Sequence, residues 1–173
     1  MKNTDKEYLL NDLIIKINWL KKNDNSTVGF TNGCFDLLHA GHTAYLNEAS
    51  KLGDVLLVGC NSDRSVRELK GSTRPINTQE DRVSVLSALR SVDAVSIYDE
   101  NDACDFLGLA EPDIYVKGGD YSGNWEKKCP VATRERLVVE KSGGTVKLLS
   151  LLEGKSTTRL IDKITGQLNL QYL

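Results

Sequence analysis

The sequence predicts an open α/β fold built on one parallel sheet, and three observations carry that expectation. Short apolar runs alternate with segments of helical period from residue 27 onward. The stretches between those runs are too long for tight hairpins and hold helix-patterned residues, so each has to be a crossover connection. One run, DVLLVGCN at 54–61, is apolar without alternation, the pattern of a strand covered on both faces. The expected architecture is a Rossmann-like five-stranded parallel sheet with helices on both faces. An N-terminal helical extension over 1–26 precedes one domain over 27–173.

In chain order, residues 5–22 place Leu9, Leu10, Leu13, Ile14, Ile17 and Leu20 near helical period and end in lysines, so they predict an amphipathic helix closed by NDNS. TVGFTN at 27–32 is a short strand, and HTAYLNEASKL at 42–52 is a helix stopped by Gly53. After the apolar strand, SDRSVREL opens with a Ser/Asp cap, and KGSTRPIN is a loop with Gly and Pro punctuation and two cations. TQEDRVSVLSALRSV at 78–92 is a helix with Thr78 as cap and Asp81 as first-turn acid. Strand AVSIY, a short helix around NDACDFLGL and strand DIYVKGGD follow. A polar loop over 120–130 leads to helix VATRERLVVEKS, a GG break, strand TVKLLSL and a last helix from Ser156. The final GQLNLQYL is weakly patterned, which suits fraying or packing on a partner.

Composition narrows the function. The chain has 173 residues and a formal net charge of -2, so no global pull toward nucleic acid or an anionic membrane is expected. An anionic ligand would have to meet local positive charge. The four cysteines are scattered, with no C-x-x-C pair, and read as reduced thiols of a cytosolic protein. MKNTDKEYLL is charged where a signal peptide needs its apolar core, and no apolar run approaches the ~20 residues that span a bilayer. A cytoplasmic location is expected.

In open α/β sheets, ligands bind outside the carboxyl ends of the strands. The segments expected there are NGCFDLLHAGH, NSDRS, KGSTRP, VKGGDY and LEGKSTT, rich in Gly, Ser, Thr, Lys, Arg and His. That is an inventory for holding phosphates. The two histidines of the chain, His39 and His42, both fall at the first of these junctions, three residues apart around Gly41. Gly41 lets backbone approach a ligand, and the following helix start offers free N–H groups. Imidazoles at i and i+3 point to one side and could donate to phosphate oxygens. The spacing by itself also fits a capping pair, or a metal pair with Asp36 as third ligand; no metal site is expected.

GCFDLLHAGH resembles the G-x-F-D-x-x-H-x-G-H signature of the cytidylyltransferase-like nucleotidyltransferases. NSD, KGSTRPINTQEDR, VKGGDY and STT follow in the order of that family, and together look closest to the adenylyltransferase domain of bacterial ADP-heptose synthesis enzymes. The resemblance covers roughly residues 5–165. It implies that His39 and His42 contact nucleotide phosphates and stabilise charge in transfer, with Lys70 as a further catalytic residue. It implies a nucleotide site formed by Thr31, Asn32, Gly33, Phe35, Gly41, Arg82, Lys117, Gly118, Gly119, Asp120, Ser156, Thr157 and Thr158. The acceptor phosphate would meet Cys34, Asp36, Asn61, Asp63, Lys70 and Arg74. Glycerol-3-phosphate cytidylyltransferases carry Arg-Thr where this chain has Leu151 and Leu152, which agrees with the heptose branch.

The implied reaction moves AMP from ATP to D-glycero-β-D-manno-heptose 1-phosphate, with Mg²⁺ carried by the triphosphate, toward lipopolysaccharide or another surface polysaccharide. A homodimer is implied by analogy, as are a separate sugar kinase and phosphatase, since the chain is too short to hold a kinase. Two other readings stand beside it: a cytidylyltransferase using glycerol 3-phosphate or another small alcohol phosphate, and a non-catalytic nucleotide-binding module.

Overall fold

Residues 6–119 and 130–171 are described in the computed structural model, the side chains of the last helix as far as residue 166. Five strands, β1 (Val28–Gly33), β2 (Val55–Asn61), β3 (Ala94–Tyr98), β4 (Ile114–Gly118) and β5 (Thr145–Leu149), form one sheet in the order β3-β2-β1-β4-β5, with every pairing parallel. Among the described residues seven α-helices connect or flank them: α1 (Leu10–Trp19), α2 (Ala40–Ala49), α3 (Asp63–Lys70), α4 (Gln79–Ser87), α5 (Cys104–Ala110), α6 (Pro130–Lys141) and α7 (Thr157–Gln171). The fold class is the one the apolar runs predict.

Each face of the sheet has its own core. On one, Leu13 and Ile17 of α1, Phe106 and Leu107 of α5 and Val139 of α6 pack on Phe30, Leu57 and Tyr115. On the other, Tyr45 and Leu46 of α2 and Val83 and Leu86 of α4 pack on Leu56, Val58 and Val116. Burying such a side chain stabilises by about 1.5–3 kcal/mol. The alternation inside β2, with Leu57 to one face and Leu56 and Val58 to the other, explains why its sequence shows no polar positions. The N-terminal helix shares the first core and is stitched to the sheet edge, where Tyr8 N–H donates to Val95 O at 2.9 Å.

The helix boundaries differ from the periodicity in instructive places. After Trp19 the chain widens into a π turn, Leu20–Asp24, ended by Asn25 in the left-handed region (φ 52°). Helix α2 starts at Ala40, two residues ahead of the expected start, because His39 itself caps it; His42 therefore lies in the first turn. Helix α4 ends at Ser87 rather than reaching residue 92.

Three aspartates lock the amino ends of the strands. Asp54, Asp93 and Asp113 each stand just before a strand, and their carboxylates accept from Thr27 N, Leu56 N and Val28 N, each at 2.8 Å. Each ties the start of its strand to a neighbouring strand and so fixes register. Asp93→Ala should lower the unfolding free energy by about 1 kcal/mol, the net worth of one hydrogen bond at an exposed carboxylate, as read by urea denaturation.

Candidate active site

The strand order reverses beside β1: its first crossover leads to β2 on one side, and β4 lies on the other. A cavity of about 440 Å³ opens there, at the carboxyl ends of the strands. Asn32 and Gly33 line it from the end of β1, Cys34, Phe35 and Asp36 from the loop that follows, Asn61 from β2 and Lys117 from β4. Lys70, Arg74, Thr157, Thr158 and His42 close its sides. Most of the residues expected to contact ligand are therefore brought to one place.

The histidine pair is built by the local backbone. His39 is extended (φ -142°, ψ 172°) and its Nδ1 accepts from Gly41 N–H at 3.1 Å, so an imidazole performs the capping that Ser or Asp usually performs. A neutral His39 then carries its proton on Nε2, a donor. The two rings stack at 3.9 Å between centroids, 21° apart, and Phe35 meets His42 edge-on at 5.5 Å. Phe35 reaches that position through a left-handed backbone (φ 45°), a conformation that costs a non-glycine residue on the order of 1 kcal/mol. Gly41 is required because a Cβ there would lie 2.9 Å from the His39 ring and 3.0 Å from Lys155 Cβ.

Both imidazoles are held neutral at pH 7. Burial, with His39 alongside, pushes His42 down to about 4. Burial and the Lys155 ammonium lower His39. Two imidazolium rings in a stack would repel each other, so the pair offers N–H donors without fixed charge. The thiols are held protonated in the same way: burial raises Cys34 and pushes Cys60 up to about 12.

Asp36 is 2% exposed and holds the cationic loop in place. One carboxylate oxygen pairs with Arg74 Nε, and the other accepts from Ile76 N at 2.7 Å and Asn77 N at 3.0 Å. Asp36 thus organises the cavity wall, while Arg74, held by it, and Lys70, exposed at the end of α3, bring positive charge to the rim.

Several expected contact residues take other roles. Arg82 is 1% exposed and does not line the cavity. Its guanidinium donates to Cys34 O, to Asn77 O at 3.2 Å and to Cys60 Sγ at 3.1 Å, and pairs with Asp63 at 2.9 Å. Those partners consume both it and Asp63, which leaves the cavity wall as well. Thr31 is fully buried one layer below, its hydroxyl 2.7 Å from Tyr45 OH. Gly119 has its N–H committed to Leu149 O at 3.1 Å, and Asp120 lies outside the described residues.

Helix α7 aims its first turn at the histidines. Thr157 Oγ1 donates to Leu37 O at 3.2 Å, Ser156 Oγ accepts from Arg159 N at 3.1 Å, and Ser156 shares a smaller cavity of about 180 Å³ with His39, Gly41, His42 and Lys155. Leu151 walls that cavity and packs on Gly118, where an added Cβ would lie 2.7 Å from Leu151 Cδ2.

Sequence reasoning passed over Tyr98, Tyr115 and Glu135. Asn32 Nδ2 donates to Tyr98 OH at 2.8 Å, and Asn32 Oδ1 accepts from Lys117 Nζ at 3.0 Å. Tyr115 OH lies 2.7 Å from Asn32 Oδ1 and 2.8 Å from Glu135 Oε2, its single proton shared between two acceptors. The tyrosines lie in strands, where they read as core, and Glu135 lies between two arginines on a helix, where it reads as solvated surface.

The cytidylyltransferase-like family matches residues 30–163. The bifunctional protein HldE of Campylobacter fetus is 48% identical over 155 residues, 88% of this chain and 31% of that protein. The bifunctional protein HldE of Wolinella succinogenes is 48% identical over 158 residues, 91% of this chain and 31% of its own. This chain therefore spans about a third of the length of the curated relatives it matches. A solved lipopolysaccharide core biosynthesis protein from Thermoplasma volcanium superposes with TM-score 0.57 at 29% identity, covering 75% of this chain and 99% of that one. The pantoate-beta-alanine ligase of Francisella tularensis shares the fold at 14% identity and TM-score 0.56, covering 84% and 66%.

The neutral state of His42 has a measurable consequence for stability. Its folded pKa, about 4, lies below the ordinary value near 6.5, so between these values the unfolded chain binds the extra proton. The contribution is fully present above pH 6.5 and is lost as pH falls toward 4. His42→Gln should flatten the decline in urea-unfolding free energy across that window relative to wild type; an unchanged slope would mean that the imidazole is not held neutral.

Proposed function

The chain belongs to the cytidylyltransferase-like family, and from that premise we propose that it transfers AMP from ATP to D-glycero-β-D-manno-heptose 1-phosphate. An oxygen of the sugar phosphate attacks the α-phosphorus in line, the bond to the β-phosphate breaks, and pyrophosphate leaves with the electron pair. The acceptor oxygen is already ionised, so no general base is needed. The observation that carries the reading is the stacked, neutral His39–His42 pair beside the first turn of α7, at a cavity rimmed by Lys70 and Arg74. Neutral N–H donors gain most where charge grows, on the oxygens of the reacting phosphate.

The remaining roles follow from placement. Thr157, Thr158 and the N–H groups of α7 grip the triphosphate. Lys70 and Arg74 hold the acceptor phosphate, with Cys34 and Asn61 on the same wall. Mg²⁺ enters with the triphosphate. Among the described residues no three His, Cys, Asp or Glu side chains converge on one point, and Asp36 is already engaged, so phosphate oxygens and water would be the ion's donors. The heptose branch is favoured by the KGGDY and STT segments and by Leu151 in place of arginine. A homodimer, a cytoplasmic location, and a kinase and phosphatase acting earlier in the route belong to the same proposal; no described helix is long and apolar enough to cross a membrane.

Pyrophosphate release with ATP or CTP against heptose 1-phosphate or glycerol 3-phosphate tests the assignment. ATP with heptose 1-phosphate should turn over fastest; preference for CTP with glycerol 3-phosphate would replace the substrate pair, and no release with any pair would leave a binding module. His39→Ala and His42→Ala should each lower kcat by about 10²–10³-fold, as loss of a preorganised donor does. Near-normal turnover in both variants would remove the histidines from the chemistry.

A further inference from the structure

We propose that Glu135, on α6, is a positioning residue for nucleotidyl transfer: its carboxylate sets the place and direction of the Lys117 ammonium that faces the phosphates. The proposal rests on the transfer reading above. A carboxylate at 1% exposure on the wall of an anion-binding cavity is paradoxical, since it repels the substrates the cavity has to hold. Catalysis as a base does not explain it, because the attacking phosphate oxygen carries no proton.

The contacts supply the reason. Glu135 Oε1 accepts from Ala103 N at 3.0 Å, which ties it to the start of α5. Oε2 accepts from Lys117 Nζ at 2.8 Å and lies 2.8 Å from Tyr115 OH. Lys117 also donates to Asn32 Oδ1, so Asn32, Tyr115, Glu135 and Lys117 close a ring of four polar atoms across the ends of β1 and β4. Two of the three ammonium protons are held by that ring, leaving one to donate toward the cavity. The pair is close to neutral as a unit, so Lys117 acts as an aimed donor and Lys70 and Arg74 supply the attraction.

The test is a double-variant cycle on the full chain: Glu135→Gln, Lys117→Met and both together. Pyrophosphate release gives kcat, and calorimetry with Mg²⁺ present gives the ATP dissociation constant. Glu135→Gln should lower kcat by roughly tenfold or more through misplacement of Lys117. It should also bind ATP several-fold more tightly, because a released lysine pairs with ground-state phosphates. Lys117→Met should lower both kcat and affinity. The double variant should be no more than about threefold slower than Lys117→Met, the non-additivity expected of residues acting as a unit.

Losses that multiply in the double variant overturn the proposal. So does a Glu135→Gln protein that loses affinity and Tm along with kcat, since that is a purely structural role. If Glu135→Gln does not fold, Glu135→Asp, which keeps the charge but draws it back by one methylene, should lower kcat with Tm retained, and an unchanged kcat in that variant overturns the proposal. If the wild-type chain turns over no substrate pair, the transfer reading fails on its own. The opposite shifts in ATP affinity then still test whether Glu135 governs Lys117.

Discussion

The buried guanidinium of Arg82 is the constraint on which the cavity depends. Three segments meet there: the loop after β1, the start of α3 and the turn leading into α4. Arg82 reaches Cys34 O in the first, Asp63 in the second and Asn77 O in the third. A charge at 1% exposure is tolerable only when its donors are engaged, and removing one partner of such a pair costs about 3–5 kcal/mol. The same energetics make the loops mutually dependent. Asp36 then has a fixed frame from which to hold Arg74, Ile76 and Asn77. The cationic loop is therefore part of the wall, held by Asp36 and framed by Arg82 and Asp63, which do not line the cavity.

Glu135 has the corresponding role on the β4 side, where it engages Lys117, Tyr115 and Ala103. Both sides of the cavity are thus built by pairing a buried carboxylate with a cation. The arrangement spends much of the local positive charge on structure. Among the described residues, Lys70, the exposed part of Arg74, one direction of Lys117, Lys155 and the first turn of α7 are left to face an anionic ligand. On the proposed reaction, a chain of net charge -2 meets its anionic substrates with positive charge gathered locally at the strand ends.

How far the sequence discloses this depends on whether a residue's role is local. The five apolar runs and the helices between them are local patterns, and the sheet follows from them. The histidine pair, Gly41 and the α7 hydroxyls were legible because helix termini and strand ends have recognisable chemistry. Arg82 was not: on the sequence it opens a helix after two acids, the pattern of a solvated first turn. Its true partners come from positions 34, 60, 63 and 77, and only the sheet order brings those together. Glu135 fails for the same reason, flanked by Arg134, which pairs with Asp102 ahead of α5, and Arg136, which pairs with Glu140 one turn along α6. Long-range burial of charge leaves no periodic trace.

The neutrality of the histidines completes the argument about charge. A cationic pair would bind the triphosphate strongly before reaction and gain little afterward, since attraction common to ground and transition states does not raise kcat. The stack prevents this. His39 and His42 lie 3.9 Å apart, half-buried, with Lys155 acting on His39, and each of these features disfavours the protonated ring. The Gly41 N–H fixes the tautomer of His39, and the Phe35 edge packs against the His42 ring. Donors that need no reorientation and carry no net charge interact most with oxygens whose charge is still growing. On the proposed reaction, long-range attraction falls to Lys70 and Arg74 and discrimination between ground and transition state to the imidazoles. The backbone strain at Phe35 is one cost of keeping those two tasks on separate residues.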